Sequence, residues 1–309
     1  MKPVHTHHHN VKKHKLICTT REHLYICTNE EQDQPKTKEP YSNRTKESNK
    51  KKTNNETKKG RHRKKMNKEK TNKLRLMYVN ANGIASKIQS LNSLLYAEDI
   101  DIAAIVETKT TGLNPTTEGY TWIAKKATSN SSGGTAIVIK NNLIPQVRQI
   151  HSMHDDEVEA LWVKVNTKHD KPIALGTFYG KQESAPIDQI DTQFNNLRTQ
   201  VHQLMHDHRV MLVGDFNAKL NINTEKVTQK QSSNGKRMQE MLDESNLHPV
   251  SLTKGEGNWT RVNRKNPSER SIIDYVLADE QMNKQIHRIT IDESGITKKK
   301  QQRRNRKRP

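Results

Sequence analysis

The chain has 309 residues, of which 30% are hydrophobic and 4% aromatic, and it carries a formal net charge of +20. This charge lies at the two ends: residues 1–72 hold 20 Lys and Arg against 8 Asp and Glu, residues 298–309 hold 8 basic residues and no acid, and residues 73–297 hold 26 of each. Without a run of about 20 apolar residues or an apolar signal segment near Met1, we expect neither a membrane-spanning nor a secreted protein.

Residues 1–72 are predicted to be a disordered, basic and His-rich segment. From residue 32 to residue 72 the sequence is mostly Lys, Asn, Thr, Glu and Ser, and such a segment cannot bury enough apolar surface to offset its ordering entropy. Cys18 and Cys27 are separated by eight residues, a wider gap than structural zinc sites use. We therefore assign no metal here, and two cysteines outside the central segment fit a reducing compartment.

The neutral segment of residues 73–297 is long enough for one well-buried domain. Short apolar or alternating runs predict strands, and apolar residues spaced at three and four predict helices, the first of them capped by Ser86. In chain order, strands are expected at 74–79, 101–106, 120–124, 135–139, 158–165, 173–178, 210–213, 272–277 and 286–291, with helices after 86, at 187–206 and at 235–244. This mixture predicts an α/β layered sandwich.

Polar side chains recur at the ends of these apolar strands. Asn80 follows the first strand, Glu107 the second and Asp215 the apolar run 210–213, while Asp274 interrupts another apolar run. In extended backbone Asp215 and Asn217 project to the same face. Each placement alone fits an ordinary turn, but oxygen ligands converging on one cleft favour Mg²⁺ or Mn²⁺ over Zn²⁺.

These residues, in this order, resemble the endonuclease/exonuclease/phosphatase superfamily, and most of all the apurinic-endonuclease-like nuclease domain of non-LTR retrotransposons. The resemblance covers about residues 74–293. The matching stretches are NANGI with Asn80, VETK with Glu107, GTFYGK with Tyr179, GDFNA with Asp215 and Asn217, and SIIDYVL with Asp274, together with the accessory stretches SGG at 132–134, EALW at 159–162, NG at 234–235 and NWTR at 258–261.

The resemblance implies a four-layer αββα sandwich, as in DNase I, and metal-dependent hydrolysis of a phosphodiester. In that comparison Glu107 and Asn80 hold the divalent ion, and Asp215 orients or deprotonates the attacking water. Asn217 and Tyr179 bind phosphate oxygens. Asp274 belongs to the same polar network and orients its neighbours. The implied function is a DNA endonuclease of retrotransposon type that leaves a 3′-hydroxyl.

One departure from the family pattern bears on activity. The family ends with a Ser-Asp-His motif whose His contacts the phosphate, whereas here the stretch IDESG at 291–295 leads into the basic tail and no Asp-His follows. His287, the nearest histidine, lies upstream and is interpreted as structural. We therefore expect a domain that is incomplete at its last strand, with an exposed sheet edge and weak or absent activity.

The basic tail of residues 298–309 predicts electrostatic attraction to nucleic acid. Its candidate DNA-binding residues are Lys298, Lys299, Lys300, Arg303 and Arg304. We expect DNA as the partner, no membrane, no small-molecule cofactor and a nuclear location, with the cytoplasm second, because basic clusters resemble nuclear-import signals.

Two other readings stay open at this point. The chain could be a catalytically dead nucleic-acid-binding remnant of the same fold, since it lacks the Asp-His pair. It could also carry another chemistry of the superfamily, such as phosphoinositide or sphingomyelin hydrolysis, although the retroelement-like stretches and the basic tails count against that. Target site, abasic preference and oligomeric state do not follow from the sequence.

Overall fold

The computed structural model describes residues 23–29, 73–112, 115–127, 131–153, 156–167, 171–225, 227–263 and 266–292. The candidate DNA-binding residues Lys298, Lys299, Lys300, Arg303 and Arg304, and the IDESG stretch beyond Asp292, lie outside this part of the chain.

Strands and helices alternate along the described chain. The strands are β1 (His23–Asn29), β2 (Lys73–Asn80), β3 (Ile102–Val106), β4 (Tyr120–Lys125), β5 (Thr135–Lys140), β6 (Val147–Gln149), β7 (Ala160–Val165), β8 (Ile173–Tyr179), β9 (Arg209–Asp215), β10 (Ile222–Asn223), β11 (Thr228–Gln229), β12 (His248–Pro249), β13 (Gly255–Glu256), β14 (Arg261–Val262), β15 (Arg270–Ser271), β16 (Asp274–Ala278) and β17 (Ile286–Ile291). The α-helices are α1 (Ile88–Ala97), α2 (Ile187–Met205), α3 (Ser233–Ser245), α4 (Val250–Lys254) and α5 (Glu280–Gln285), and short 3-10 helices span Asn141–Gln146 and His151–Met153.

Two large sheets contain most of these strands. The first has the order β13-β17-β1-β2-β3-β5-β4, and the second has the order β12-β16-β9-β8-β7-β6. The pairs β2–β3, β8–β9 and β13–β17 are parallel, and the other pairs are antiparallel. Strand β2 runs parallel to β3, and β8 runs parallel to β9. The carboxyl ends of the two strands in each pair therefore lie next to each other, at one end of their sheet.

Three apolar layers hold the sheets and helices together. The inner faces of the sheets meet around residues such as Tyr78 and Val213. Helix α1 packs Leu95 onto the outer face of the first sheet, and helices α2 and α3 cover the outer face of the second sheet, with Phe194 as one of the contacts. The order helix, sheet, sheet, helix confirms the four-layer αββα sandwich.

The nine strands and three helices predicted between residues 74 and 291 are all present, with shifted ends. The predicted cap of α1 is wrong. Lys87, not Ser86, occupies the N-cap position and makes no side-chain cap bond. Its Nζ instead donates to the backbone carbonyls of Ala81 and Asn82, in the loop that follows β2.

Strand β1 corrects one expectation, because it lies within the segment predicted to be disordered. The short run HLYIC at 23–27 contains two residues of strand-forming type, Tyr25 and Ile26. The strand pairs with β17 on one side and with β2 on the other. No helix in the described part of the chain is both long and apolar enough to cross a membrane.

Candidate active site

Five polar residues meet at the ends of the two sheets because each one ends, follows or begins a strand there. Asn80 ends β2, Glu107 directly follows β3, Tyr179 ends β8, Asp215 ends β9 and Asp274 begins β16. Within the second sheet, Tyr179 and Asp274 are the register partners of Asp215 on its two sides. The structure therefore brings these five predicted residues together.

Asn80 joins the two sheets through its side-chain amide. Its Nδ2 donates to Glu107 Oε1 at 3.1 Å and to Asp215 Oδ2 at 2.9 Å, and its Oδ1 accepts from the backbone N–H of Asn82 at 3.1 Å. Asn80 and Asp215 are fully buried, and Glu107 is 6% exposed. Buried carboxylates are costly unless donors satisfy them, so one amide supports both acids.

The loop after β9 orients Asp215 from its other side. Asp215 Oδ1 accepts from the backbone N–H of Asn217 at 3.0 Å, and Asn217 Nδ2 donates to Gly180 O at 2.7 Å. Asn217 has a positive φ of 46°, a conformation that asparagine tolerates better than most residues. A Cβ at Gly180 would lie 2.3 Å from Phe216 O, so glycine is required for this close approach.

Helix α3 supports the same loop through a residue to which the sequence analysis gave no role. Asn234 is fully buried, and its Nδ2 donates to Lys181 O at 2.9 Å and to Asn217 O at 3.1 Å. A Cβ at Gly235 would lie 1.8 Å from Lys219 O. The accessory dipeptide Asn-Gly therefore fixes the loops after β8 and β9 together.

Asp274 is bound from the opposite sheet. The hydroxyl of Tyr78 on β2 donates to Asp274 Oδ1 at 2.7 Å, and the backbone N–H of Asp274 donates to Thr260 Oγ1 at 3.1 Å. Asp274 is 2% exposed. These contacts agree with an orienting role for Asp274, and Tyr78 and Thr260 are partners that spacing alone does not reveal.

A cation that the sequence analysis did not select stands next to Glu107. Lys109 Nζ lies 3.4 Å from Glu107 Oε2 and donates to Asn82 Oδ1 at 2.6 Å. Glu107, Lys109 and Asn82 all have positive φ, at 51°, 54° and 43°. Strained backbone of this kind persists where the surrounding structure over-determines it, and it is enriched at functional sites.

The donor set suits an open magnesium-type site better than a closed metal cage. Among the described residues, no three or more His, Cys, Asp or Glu side chains are arranged to enclose a metal ion. Mg²⁺ commonly uses only one or two protein carboxylates and completes its shell with water and substrate phosphate. Glu107 supplies such a carboxylate and Asn80 an amide oxygen, so these residues fit the ion.

His287 takes no part in this site. Ile286 pairs with Thr28, whereas Ile291 pairs with Leu24, and Leu24 in turn pairs with Tyr78 near the end of β2. His287 is exposed and lies at the end of β17 remote from the site.

The sequence of the chain shows the family to which it belongs. Residues 77–294 match the endonuclease/exonuclease/phosphatase family, which confirms the resemblance inferred from the motifs. Enzymes of this family hydrolyse phosphate esters, generally with a divalent metal, and the chain belongs to that class of enzyme. A comparison with curated proteins finds no match.

Solved structures share the fold at low sequence identity. An AP endonuclease from Leishmania major superposes with a TM-score of 0.57 at 13% identity, covering 68% of this chain and 80% of that one. The endonuclease domain of TRAS1, a telomere-specific non-LTR retrotransposon, gives 0.52 at 20% identity, covering 67% and 85%. A 3′ phosphatase from Neisseria, bound to a product DNA hairpin, gives 0.54 at 16% identity, covering 68% and 88%.

Proposed function

We propose that this protein is a divalent-metal-dependent endonuclease that hydrolyses DNA phosphodiester bonds, of the type found in non-LTR retrotransposons. The observation that carries the proposal is the Asn80 amide, which holds Glu107 and Asp215 against each other at the junction of the two sheets. The similarity to the TRAS1 endonuclease domain supports the retrotransposon type, and the DNA-bound Neisseria structure supports DNA as the substrate class.

Glu107 and Asn80 would hold the metal, and Mg²⁺ or Mn²⁺ suits their oxygen atoms. When bound, the ion stabilises negative charge on the scissile phosphate and on the leaving oxygen. Lys109, 3.4 Å from Glu107 Oε2, adds a fixed positive charge beside the same carboxylate.

To Asp215 we assign the role of accepting the proton of the attacking water. Its two carboxylate oxygens are held by Asn80 Nδ2 and by the Asn217 N–H, which fixes the direction from which a water can approach. As the water oxygen bonds to phosphorus, its proton passes to Asp215. The bond between phosphorus and the 3′ oxygen breaks, which leaves a 3′-hydroxyl once that oxygen is protonated and a phosphate on the 5′ side.

Asn217 can also bind the substrate. An amide nitrogen carries two N–H donors, and Asn217 Nδ2 uses one of them on Gly180 O at 2.7 Å. The second N–H and the Tyr179 hydroxyl are the donors that we assign to phosphate oxygens, where charge builds in the transition state.

A second candidate function is a nucleic-acid-binding remnant without catalysis. The observation that favours it is that residues 291–309 contain no Asp-His pair, because losing one electrostatic stabiliser costs about 10²–10³ in rate. The two candidates predict the same fold and the same affinity for DNA but differ in hydrolysis.

Nicking of supercoiled plasmid DNA with Mg²⁺ separates the two candidates. We expect the full chain to nick slowly, EDTA to stop the reaction, and Asp215→Ala to lower that rate by at least about 10³ because the proton acceptor is lost. Asp207→Asn is the matched control, since that side chain is 74% exposed and Asp207 lies before the start of β9, whose opposite end carries Asp215.

Salt-sensitive DNA binding without any nicking would establish the remnant instead. Hydrolysis of a soluble phosphate monoester, with DNA left intact, would point to a different chemistry within the family.

A further inference from the structure

We propose that Glu159 is a positioning residue that sets the metal-holding carboxylate of Glu107 relative to Tyr179 and Asp215. The inference rests on the proposed function. Glu159 immediately precedes β7, and no role follows for it from the strand-end pattern that selected the other acids. Its contacts connect the two sheets at the site.

The carboxylate of Glu159 holds the turn that lies against the Glu107 loop. Its Oε1 accepts a hydrogen bond from the backbone N–H of Gly134. Gly134 O accepts from the N–H of Thr108, and Gly133 O accepts from the N–H of Lys109, both at 2.9 Å. Only these backbone bonds separate the Glu159 carboxylate from the two residues that follow Glu107.

The glycine turn fits too tightly to shift on its own. A Cβ at Gly133 would lie 2.7 Å from Glu159 Oε1, and a Cβ at Gly134 would lie 2.3 Å from Thr108 Oγ1. Both glycines have positive φ, at 84° and 82°. A displacement of the Glu159 carboxylate is therefore transmitted to Thr108, and from there to the strained backbone of Glu107.

The backbone of Glu159 fixes the second sheet at the same point. Its carbonyl oxygen accepts from the N–H of Tyr179 at 2.9 Å, and Tyr179 is the register partner of Asp215. One residue thus contacts the strand end beside the proposed proton acceptor and the turn behind the proposed metal ligand.

Glu159 lies among several charged and polar groups. Burial raises the pKa of Glu159, while the Gly134 N–H and the charges of Lys125 and Lys181 lower it and the charge of Glu107 raises it further.

Two conservative substitutions distinguish the effect of the side-chain length of Glu159 from the effect of its negative charge. Glu159→Gln keeps a side-chain oxygen that can accept from Gly134 but removes the charge, whereas Glu159→Asp keeps the charge and is one methylene too short. Glu157→Gln is the matched control, because Glu157 is an exposed acid two residues away that accepts from Asn196 Nδ2 at 3.2 Å. Thermal melts establish that each variant is folded before comparison.

The primary readout is Mn²⁺ binding to the protein without DNA, measured by electron paramagnetic resonance, and nicking kinetics follow on the same samples. Loss of a group that orients a metal ligand typically costs about 10–100-fold in metal affinity or activity. We expect Glu159→Asp to bind Mn²⁺ at least about 10-fold more weakly and to nick with a lower kcat at little changed KM. Glu159→Gln and Glu157→Gln should stay within about twofold of the wild-type affinity, well below the loss of about 10-fold expected when a metal ligand is no longer oriented.

Wild-type Mn²⁺ affinity in a folded Glu159→Asp protein would overturn the proposal, and so would an equal loss in Glu159→Gln. A wild-type chain that binds Mn²⁺ but does not nick DNA would contradict the proposed function alone. The Mn²⁺ comparison would still decide the role of Glu159 in that case.

Discussion

Asn80 shows how a single neutral side chain can hold a hydrolytic site together. Its amide donates to two buried carboxylates from different sheets, and its own oxygen is bound by the N–H of Asn82. An aspartate of the same shape has no N–H to donate. The amide therefore permits two almost fully buried acids to lie side by side.

Asn80→Asp should destabilise the protein strongly in the absence of metal. The change places a third carboxylate between Glu107 and Asp215 and removes the two donated hydrogen bonds, and a buried acceptor left without its donor costs about 1–3 kcal/mol, more when the acceptor is charged. Because the added acid also gives a cation one more ligand, saturating Mn²⁺ should stabilise this variant more than the wild type.

Urea unfolding in EDTA and in Mn²⁺ measures both effects. Asn195→Asp, at an exposed position where the residue accepts from Arg198, controls for adding an acid to the surface. A variant as stable as the wild type in EDTA would show that Asn80 does not hold the two carboxylates together.

Strand β1 lies inside the first sheet although 43 residues separate it from β2 in the sequence. Its register places Leu24 between Ile291 and Tyr78, and Ile26 between Ile289 and Leu76. A strand with neighbours on both sides directs every backbone N–H toward one of them. Strand β1 therefore joins β17 to the part of the sheet that carries Asn80.

Ile26→Pro should weaken the whole domain, because proline cannot donate to the ladder and is not tolerated in the middle of a sheet. Leaving one buried carbonyl unpaired costs about 1–3 kcal/mol, which lowers the melting temperature of a domain of this size by several degrees, at about 2–4 °C per kcal/mol. Ile26→Val keeps strand propensity and is the control. Equal melting temperatures for the two variants would show that β1 contributes nothing to the sheet.

The sequence predicted the elements whose signal is local. The apolar run before Asp215 and the helical spacing through Phe194 identify their elements directly, and the strand ends identify Asn80 and Glu107. Contacts between residues that are distant in the sequence could not be predicted in this way. Nothing near Glu159 in the sequence reveals that its carboxylate reaches Gly134.

The same limit explains the two elements whose prediction was wrong. The pairing of β1 depends on strands far along the chain, so a seven-residue strand inside a polar segment carries too little local signal. Ser86 is a good cap by residue type, but Lys87 occupies the cap position and its side chain bonds to carbonyls of the loop after β2. Contacts between distant segments outweigh local propensity in both cases.

At the scale of the whole molecule, a neutral domain is joined to two basic segments. Residues 73–297 hold equal numbers of acids and bases, while residues 298–309 hold eight basic residues and no acid. Binding that neutralises Z phosphates of duplex DNA gives a slope of about −0.9Z in a plot of log K against log salt. Contacts by all eight tail charges would thus contribute about −7 to the slope.

Deletion of residues 298–309 should make DNA binding weaker and less dependent on salt, with a slope less negative by up to about 7. The single-turnover nicking rate at saturating protein should change little, because the residues that we assign to hydrolysis lie between Asn80 and Asp274.

Fluorescence anisotropy on a short duplex measures the slope of log K against log salt. A range of about 50 to 200 mM salt is suitable, because affinities that depend on phosphate contacts change strongly over it. A tail of the same length with every Lys and Arg replaced by Gln separates charge from length. An unchanged slope in both variants would mean that the phosphate contacts come from the domain or from the basic residues of 1–72, and the basic tail of residues 298–309 would then have no part in holding the substrate at the site.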